Sequence, residues 1–431
     1  MMLLGAIADD LTGAVELASM LVAGGVPTGL TIGPDAELPE GNLAHVIALK
    51  TRVAPVDLAV RHTLKASERL LAAGARQIFF KYCATFDSTE KGNIGPCAEA
   101  LLDRLDAQGA IFCPAFCEAG RLVFQGHMFC GTQLLGESPK RDDPLTPMTD
   151  SNLVRVLQAQ SRRTAGLIPH DVVEQGPETI REQIEQFYAI GTELLLADTL
   201  GEHHLESIAE AAADAPLLTG NSSVAAHLPA AWRRRGLLGW EIRPEPSLAA
   251  GGNGLVLSGS CAGRTAEQLE HFGRRHPVLQ LDLDRSLAGE DVVQVAVEWA
   301  KERIGAGPVA ISTTEDSTRV AARQKRYTVA RVADEAERLL AEIGRRLISE
   351  ANVRRLLIAG GETSGAVLAR LGIERMTIGS YRQAGLSYVF CERPVPLSMV
   401  VKSGKLGPVD MMATALEDMR APGTGERGEA V

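Results

Sequence analysis

Short apolar runs alternate with amphipathic stretches along almost the whole chain, and this order constrains the fold more than any other feature. Leu3–Ala8, Val46–Leu49, Ile78–Lys81 and Ala110–Cys113 read as strands. Between them Thr12–Ala23, Val56–Leu71 and Gly95–Leu105 carry apolar residues at helical spacing. The pattern resumes with Gly254–Leu257, Val278–Leu281, Val309–Ser312 and Arg355–Ala359, with a long helix ending near Glu350. A β-α-β-α succession predicts α/β domains with mainly parallel, doubly wound sheets, which bind ligands at the carboxyl ends of their strands. At 431 residues the chain exceeds one compact core. A break rich in Pro and Gly, roughly 243–254, puts the expected boundary at 245: one domain over 1–245 and a second over 246–420. The tail over 421–431 is charged and glycine-rich, and disorder is expected there. Periodicity is lost from about Met128 to Asn152, and so long a loop inside a domain is more often functional than idle.

Charge and cysteine usage exclude several function classes. A formal net charge of −10 argues against nucleic acid, whose phosphates need basic patches. The basic run Arg233–Arg235 reads as a solvated helix end. The seven cysteines form no CxxC pair, and Cys113 and Cys117 lack a downstream histidine pair, so zinc is not expected and reduced thiols in the cytoplasm are. The opening MMLLGAIADD has no basic region before its apolar residues and reads as a buried strand rather than a signal peptide. No apolar run is long enough to span a bilayer.

Several strand ends carry chemistry. Asp9 and Asp10 follow the first strand and precede Leu11-Thr12-Gly13, which opens a helix. Such carboxylates can hold hydroxyls, act as a base, bind a cation, or simply cap the helix. Lys81 closes the third apolar run and leads into Asp87 and Ser88; its ammonium suits a carboxylate-bearing ligand, while a polar capping turn is the alternative. Arg121 and His127 stand in an apolar stretch, where a histidine can equally be structural. In the second half, Ser258-Gly259-Ser260 lies between a strand and a helix. Gly360-Gly361-Glu362-Thr363-Ser364 does the same, and its glycines, hydroxyls and helix N-terminus make a phosphate cradle. Lys402-Ser403-Gly404-Lys405 could close over a nucleotide or form a basic surface turn.

Taken together these segments resemble the four-carbon acid sugar kinases. The matching blocks are IADDLTGAVELA at 7–18, KYCATFDSTEKGNIGP at 81–96 and CPAFCEAGRLVFQGHMF at 113–129. They continue with AGGETSGAV at 359–367 and KSGKLG at 402–407, in the family's order. PLTPMTDSNLVRVLQAQS at 144–161 is similar to the branch acting on 3-oxo-tetronate. The resemblance implies an acid-sugar-binding domain, a nucleotide-binding domain and an active site in the cleft between them. It implies ATP-dependent phosphorylation of the C4 hydroxyl of a four-carbon sugar acid, with Mg²⁺ accompanying ATP and no metal held by protein ligands alone. Carried over by position, Asp9, Asp10, Lys81, Asp87, Ser88, Arg121 and His127 form the sugar-acid site. Asp10 or Asp87 is the catalytic acid–base residue, with Asp10 preferred. Ser258, Gly360, Gly361, Glu362, Thr363, Ser364 and Gly404 form the ATP site. The partners implied are the sugar acid and ATP, without nucleic acid or membrane; self-association is compatible with the sequence.

The chain departs from the family pattern at Ala119, at Asn221 and Ser223, at Gln383–Ser387, and at Glu16, where an aspartate is expected. Threonate or erythronate phosphorylation, or a non-catalytic sensor of acid sugar or nucleotide, are the alternatives these departures leave.

Overall fold

The structure is a computed structural model in which residues 2–143, 145–240, 248–315, 323 and 326–420 are described. The expected tail beyond 420 and the core of the expected linker lie outside those residues. The chain divides into two compact units, Met1–Pro244 and Glu245–Val431.

In the first unit the strands are β1 (Met2–Ala8), β2 (Thr28–Ile32), β3 (Ala44–Ala48), β4 (Ala75–Lys81) and β5 (Ala110–Cys113). They continue as β6 (Arg121–Phe124), β7 (His127–Cys130), β8 (Gln133–Leu134), β9 (Thr164–Ile168), β10 (Thr192–Ala197) and β11 (Leu217–Gly220). Eight of them form a parallel sheet in the order β2-β3-β1-β4-β11-β5-β10-β9. From β1 the chain builds first toward β3 and β2, then crosses to β4, so the direction of winding reverses between β1 and β4. Residues 121–134 form a separate antiparallel sheet, β6-β7-β8.

The second unit contains β12 (Asn253–Ser258), β13 (Val278–Gln280), β14 (Val309–Ser312), β15 (Val353–Ala359), β16 (Arg375–Ile378), β17 (Ser387–Cys391) and β18 (Leu397–Lys402). Their order is β13-β14-β12-β15-β18-β17-β16, parallel through β18 and antiparallel beyond it. Winding reverses here between β12 and β15. Both units are thus doubly wound α/β layers, and each places one crevice at its reversal point.

Register makes the strand ends converge. Ala48, Ala8, Lys81, Gly220 and Cys113 stand level across β3, β1, β4, β11 and β5. In the second unit Ser312, Ser258, Ala359 and Lys402 stand level across β14, β12, β15 and β18. Beneath the first row lies an apolar core in which Ile7, Ile47, Phe80 and Phe112 are almost wholly buried. Burying each such side chain stabilises the fold by roughly 1.5–3 kcal/mol. Among the described residues no helix is long and apolar enough to cross a membrane.

Two expectations need correction. The stretch 128–152 is not a structureless loop. It contains β7, β8 and short 3-10 turns at Leu135–Glu137 and Pro139–Asp142 before the helix Leu153–Ala159 begins. Strands of two to four residues are too short to show a period, and Pro139 serves as the first residue of a turn. The antiparallel β16 and β17 were likewise not expected from the sequence.

Candidate functional site

The first unit gathers charge at its reversal point. Asp10, extended in backbone (φ −146°, ψ 162°), caps the helix Leu11–Ala23 by accepting the Gly13 N–H at 3.0 Å. It also accepts the Thr12 hydroxyl at 2.5 Å. Arg52 donates from Nε and Nη2 to both oxygens of Asp9 at 2.8 Å, and from Nη2 to Asp10 Oδ1 at 2.7 Å. Lys81 Nζ lies 3.5 Å from that same Oδ1. Burial works against ionising Asp10, but Arg52, Lys81 and the Thr12 and Gly13 donors outweigh it. Its carboxyl is held well below the usual range. Burial likewise opposes charge on Arg52, yet the two aspartates keep it protonated.

Gly13 makes this arrangement possible. A Cβ there would lie 1.8 Å from Lys81 Nζ and 2.5 Å from Cε, so the ammonium crosses the first helical turn in space that only glycine leaves.

Asp87 and Ser88 are set by an aromatic anchor. Tyr82 is fully buried, edge-on to Phe80 and Phe86 with centroids 5.8 and 5.3 Å away, and its hydroxyl pairs with Thr219 at 3.1 Å. Phe86 takes φ 48° to fold back onto it. Asp87 then accepts the Thr85 hydroxyl at 2.5 Å and pairs with Lys140 at 3.0 Å. Burial alone would raise its pKa, but Lys140 and Arg52 hold it down. Ser88 is buried and donates to Gln160 at 3.2 Å.

Arg121 and His127 sit on the β6-β7 hairpin, where Arg121 donates to the Ala119 carbonyl at 2.9 Å and His127 Nδ1 meets the Gln125 carbonyl at 2.8 Å. No described hydrogen bond or ion pair joins either to Asp9, Asp10 or Lys81. The Gln125-Gly126 turn, with φ 50° and 71°, is held by Asp198. That fully buried carboxylate accepts N–H groups of Gln125, Gly126 and His170 at 2.8, 2.9 and 3.0 Å.

Three of the departures from the family pattern are taken up in local hydrogen bonds. Asn221 caps the helix Ser222–Ala226, and Ser223 donates to the Ala115 carbonyl at 2.5 Å. Glu16 accepts the Ser222 hydroxyl at 2.9 Å, with its pKa pushed up by burial.

In the second unit the glycines do the work. Gly360, at φ 120°, leads into the helix Gly361–Leu371, which has no side-chain cap at its start, and a helix N-terminus is a place where an anion is favoured. A Cβ on Gly259 would lie 2.1 Å from Thr363 Oγ1, and one on Gly404 would lie 2.1 Å from Ser260 Oγ. The three turns therefore touch through their glycines. Ser258 is buried and pairs with Thr314 at 2.9 Å, while Ser364 Oγ donates to the Gly360 carbonyl at 2.7 Å. These two hydroxyls brace the cradle, whereas Glu362 is exposed. Lys402 is fully buried and donates to Thr265 Oγ1, the Ser403 carbonyl and the Gly404 carbonyl at 3.0, 2.7 and 3.3 Å. Burial, with repulsion from Arg264, pulls its pKa down to about 7.

Arg52, Lys140 and Asp198 were not singled out from sequence. Arg52 and Asp198 follow the ends of β3 and β10, so the strand-end rule could have found them; Lys140 carries no local signal. Ligand atoms of His170, Glu174 and His204 lie within 4.8 Å of one another. His204 Nδ1, however, accepts the Leu200 N–H at 2.9 Å, so its proton is on Nε2 and goes to Glu174 at 2.6 Å. A metal on Nε2 would drive that proton onto Nδ1, against another N–H. The cluster is a hydrogen-bonded pair with neighbours, not a cation cage.

Comparison with known proteins matches this division. Residues 4–228 fit the family model of a sugar-binding N-terminal domain, and residues 255–412 that of a nucleotide-binding C-terminal domain. A 3-oxo-tetronate kinase of Pseudomonas savastanoi pv. phaseolicola is 44% identical over 424 residues, covering 97% of each chain. That of Escherichia coli K12 is 41% identical, covering 88% of this chain and 98% of its own. A crystal structure from Salmonella typhimurium LT2 superposes with TM-score 0.84 at 35% identity, covering 96% of this chain and 99% of that one. One from Haemophilus influenzae does so with TM-score 0.75 at 33% identity, covering 96% and 100%.

Proposed function

The chain belongs to the four-carbon acid sugar kinase family, and on that premise we propose that it transfers the γ-phosphoryl group of ATP to the C4 hydroxyl of 3-oxo-tetronate. The observation that carries this reading is the pairing of two unlike sites in one chain. One is a buried cluster of carboxylates and cations following β1 and β4, the other a glycine-lined helix N-terminus following β15.

In this reading Lys81 supplies the charge that meets the acid. Asp9, Asp10, Asp87 and Ser88 receive hydroxyls, with Arg121 and His127 reaching in from the hairpin. Asp10 aligns the C4 hydroxyl and takes its proton as transfer completes. Its strong acidity keeps it ionised and ready to accept a hydrogen bond. A loose transition state moves the proton late, so a weak base suffices. Main-chain N–H groups at Gly361–Thr363 receive phosphate oxygens, and Gly404 lets its turn approach.

Mg²⁺ fits this cradle as an ion carried in by the phosphates. The Ser260 and Thr363 hydroxyls and the Glu362 carboxylate would be the oxygens these loops could offer it, and hard cations of this kind keep most of their phosphate and water partners. The ion would neutralise charge on the transferring group. The cytoplasm, where ATP is at hand, suits this chemistry, and all seven cysteines are free thiols. The test is ADP release with 3-oxo-tetronate, threonate and erythronate in parallel. Turnover is expected with the 3-oxo acid above the reduced acids, and a protein idle on all three would overturn the proposal.

A further inference from the structure

One buried cation reaches the sugar-acid cluster from far along the chain. Lys140 belongs to the 3-10 turn Pro139–Asp142, between β8 and the helix Leu153–Ala159. Its side chain is buried, and each of its three ammonium protons has an acceptor: Asp87 Oδ1 at 3.0 Å, Asp143 Oδ2 at 2.6 Å and Thr146 Oγ1 at 3.0 Å. The surrounding turn is tied to itself. Ser138 Oγ donates to the Leu135 carbonyl at 2.7 Å and accepts the Lys140 N–H at 3.2 Å. Asp143 accepts the Leu145 and Thr146 N–H groups at 3.1 Å, and the Met148 N–H returns to the Lys140 carbonyl at 3.1 Å.

An ammonium so saturated has no proton left for a ligand, and it bears on the site through Asp87. Lys140 and Thr85 both occupy Oδ1 of that carboxylate, while Oδ2 has no partner among the described residues. The far end of the same stretch grips the residues that follow. Gln160, just after the helix Leu153–Ala159, accepts the Ser88 hydroxyl at 3.2 Å and the Gly95 N–H at 2.9 Å through Oε1, and donates from Nε2 to the Thr89 carbonyl at 3.0 Å. Asp87 is thus pinned by Lys140 directly and by Gln160 through its neighbours.

We propose that Lys140 is a positioning residue of the sugar-acid site, holding Asp87 as a fixed acceptor whose Oδ2 receives a hydroxyl of the acid; this rests on Asp87 belonging to that site. Facing Asp87 are Lys140, with Asp143 behind it, Arg52 from the end of β3, and the Cys83 thiol. Burial pushes the Asp87 carboxyl up, and Lys140 is the strongest influence against it, ahead of Arg52. Without Lys140 the carboxyl takes up a proton at higher pH and loses the charge that makes its hydrogen bond to a hydroxyl strong. A lysine that merely packed would confer no such pH dependence.

The test is calorimetric binding of 3-oxo-tetronate to wild type, Lys140→Met, Asp87→Asn and the double variant. Lys140→Met should lose about tenfold in affinity near about pH 5.5, the equivalent of one pKa unit, and regain most of it by about pH 8. No loss, or a loss equal at both pH values, overturns the proposal. In the Asp87→Asn background, Lys140→Met should change affinity by less than about twofold at either pH. A larger change there overturns the proposal even where Lys140→Met alone fails to fold. Wild-type affinity in Asp87→Asn removes Asp87, and Lys140 with it, from the site. A wild-type protein that binds none of 3-oxo-tetronate, threonate and erythronate refutes the sugar-acid reading beneath. One that binds them while Lys140→Met follows it at every pH refutes the role of Lys140 alone.

Discussion

The two candidate sites occupy equivalent places in their units, at the winding reversal of a parallel sheet, yet they are built from opposite materials. The first is made of side-chain charge: Asp9, Asp10, Arg52 and Lys81 interlock within 3.5 Å, and Asp87 is matched by Lys140. The second is made of main chain: glycines at 259, 360 and 404, an uncapped helix start, and hydroxyls turned inward. Buried ion pairs add little net stability, because desolvating each charge offsets the attraction. What they add is fixed orientation, which a small ligand with one carboxylate and a few hydroxyls demands. A polyphosphate asks instead for many weak donors at close range, which backbone N–H groups supply. A charge substitution should therefore damage the first site chemically, whereas a shape substitution should damage the second.

Asp10→Asn tests the chemical half most severely. It keeps size and several hydrogen bonds but cannot accept a proton, so turnover should fall by roughly 10²–10⁴-fold. ATP affinity should stay constant by calorimetry; retained turnover would move the role to Asp87. Gly360→Val tests the shape half. A side chain at φ 120° costs on the order of 1–3 kcal/mol. ATP binding should weaken by about one to two decades, and sugar-acid binding, followed by thermal shift, should not.

Gly13→Ala crosses the two categories, being a shape change at the charged site. Alanine favours the helix by about 0.5–1 kcal/mol, but its Cβ must push the Lys81 ammonium aside. Melting temperature should fall, because displacing a buried, paired ammonium outweighs the helix gain, and KM for the acid should increase about tenfold, as expected when a charged hydrogen bond worth roughly 1.5–3 kcal/mol is partly lost. An unchanged KM would remove Lys81 from acid binding. The last test is of stability rather than ligand binding, and concerns Lys402. Its folded value of about 7 lies below the ordinary 10.5. Between these values the unfolded chain binds a proton that the native chain lacks, so stability rises with pH across that window. The denaturation midpoint of wild type relative to Lys402→Met should climb from pH 7 toward pH 10. A flat difference would mean that the three acceptors around the ammonium hold its proton.

How much of this was legible beforehand follows from how local each signal is. Leu3–Ala8 and Leu356–Ala359 are continuous runs without a charged or polar side chain that end in polar turns, and they emerge within β1 and β15 with Asp9 and Gly360 directly after them. The doubly wound class followed from their alternation with helices. Arg52 was not legible, because its importance depends on β3 lying beside β1, a pairing no window of sequence contains. Lys140 was hidden for the same reason: it meets Asp87 across 53 residues and sits in a stretch without period. Gly13 could be read as part of a helix start, but not as the clearance for an ammonium arriving from β4.

Asp198 carries a consequence for the order in which the molecule assembles. Its carboxylate fastens the Gln125-Gly126 turn across 73 and 72 residues of chain, and the same group takes the His170 N–H. A hairpin as short as Arg121–Cys130 has marginal stability by itself. The turn that bears His127 can therefore become rigid only after β10 has been laid into the sheet, since β10 delivers the acid at its end. Long-range closures of this kind come late in folding. The hairpin is thus a late-maturing part of the first unit, with its amides among the last there to gain protection from exchange.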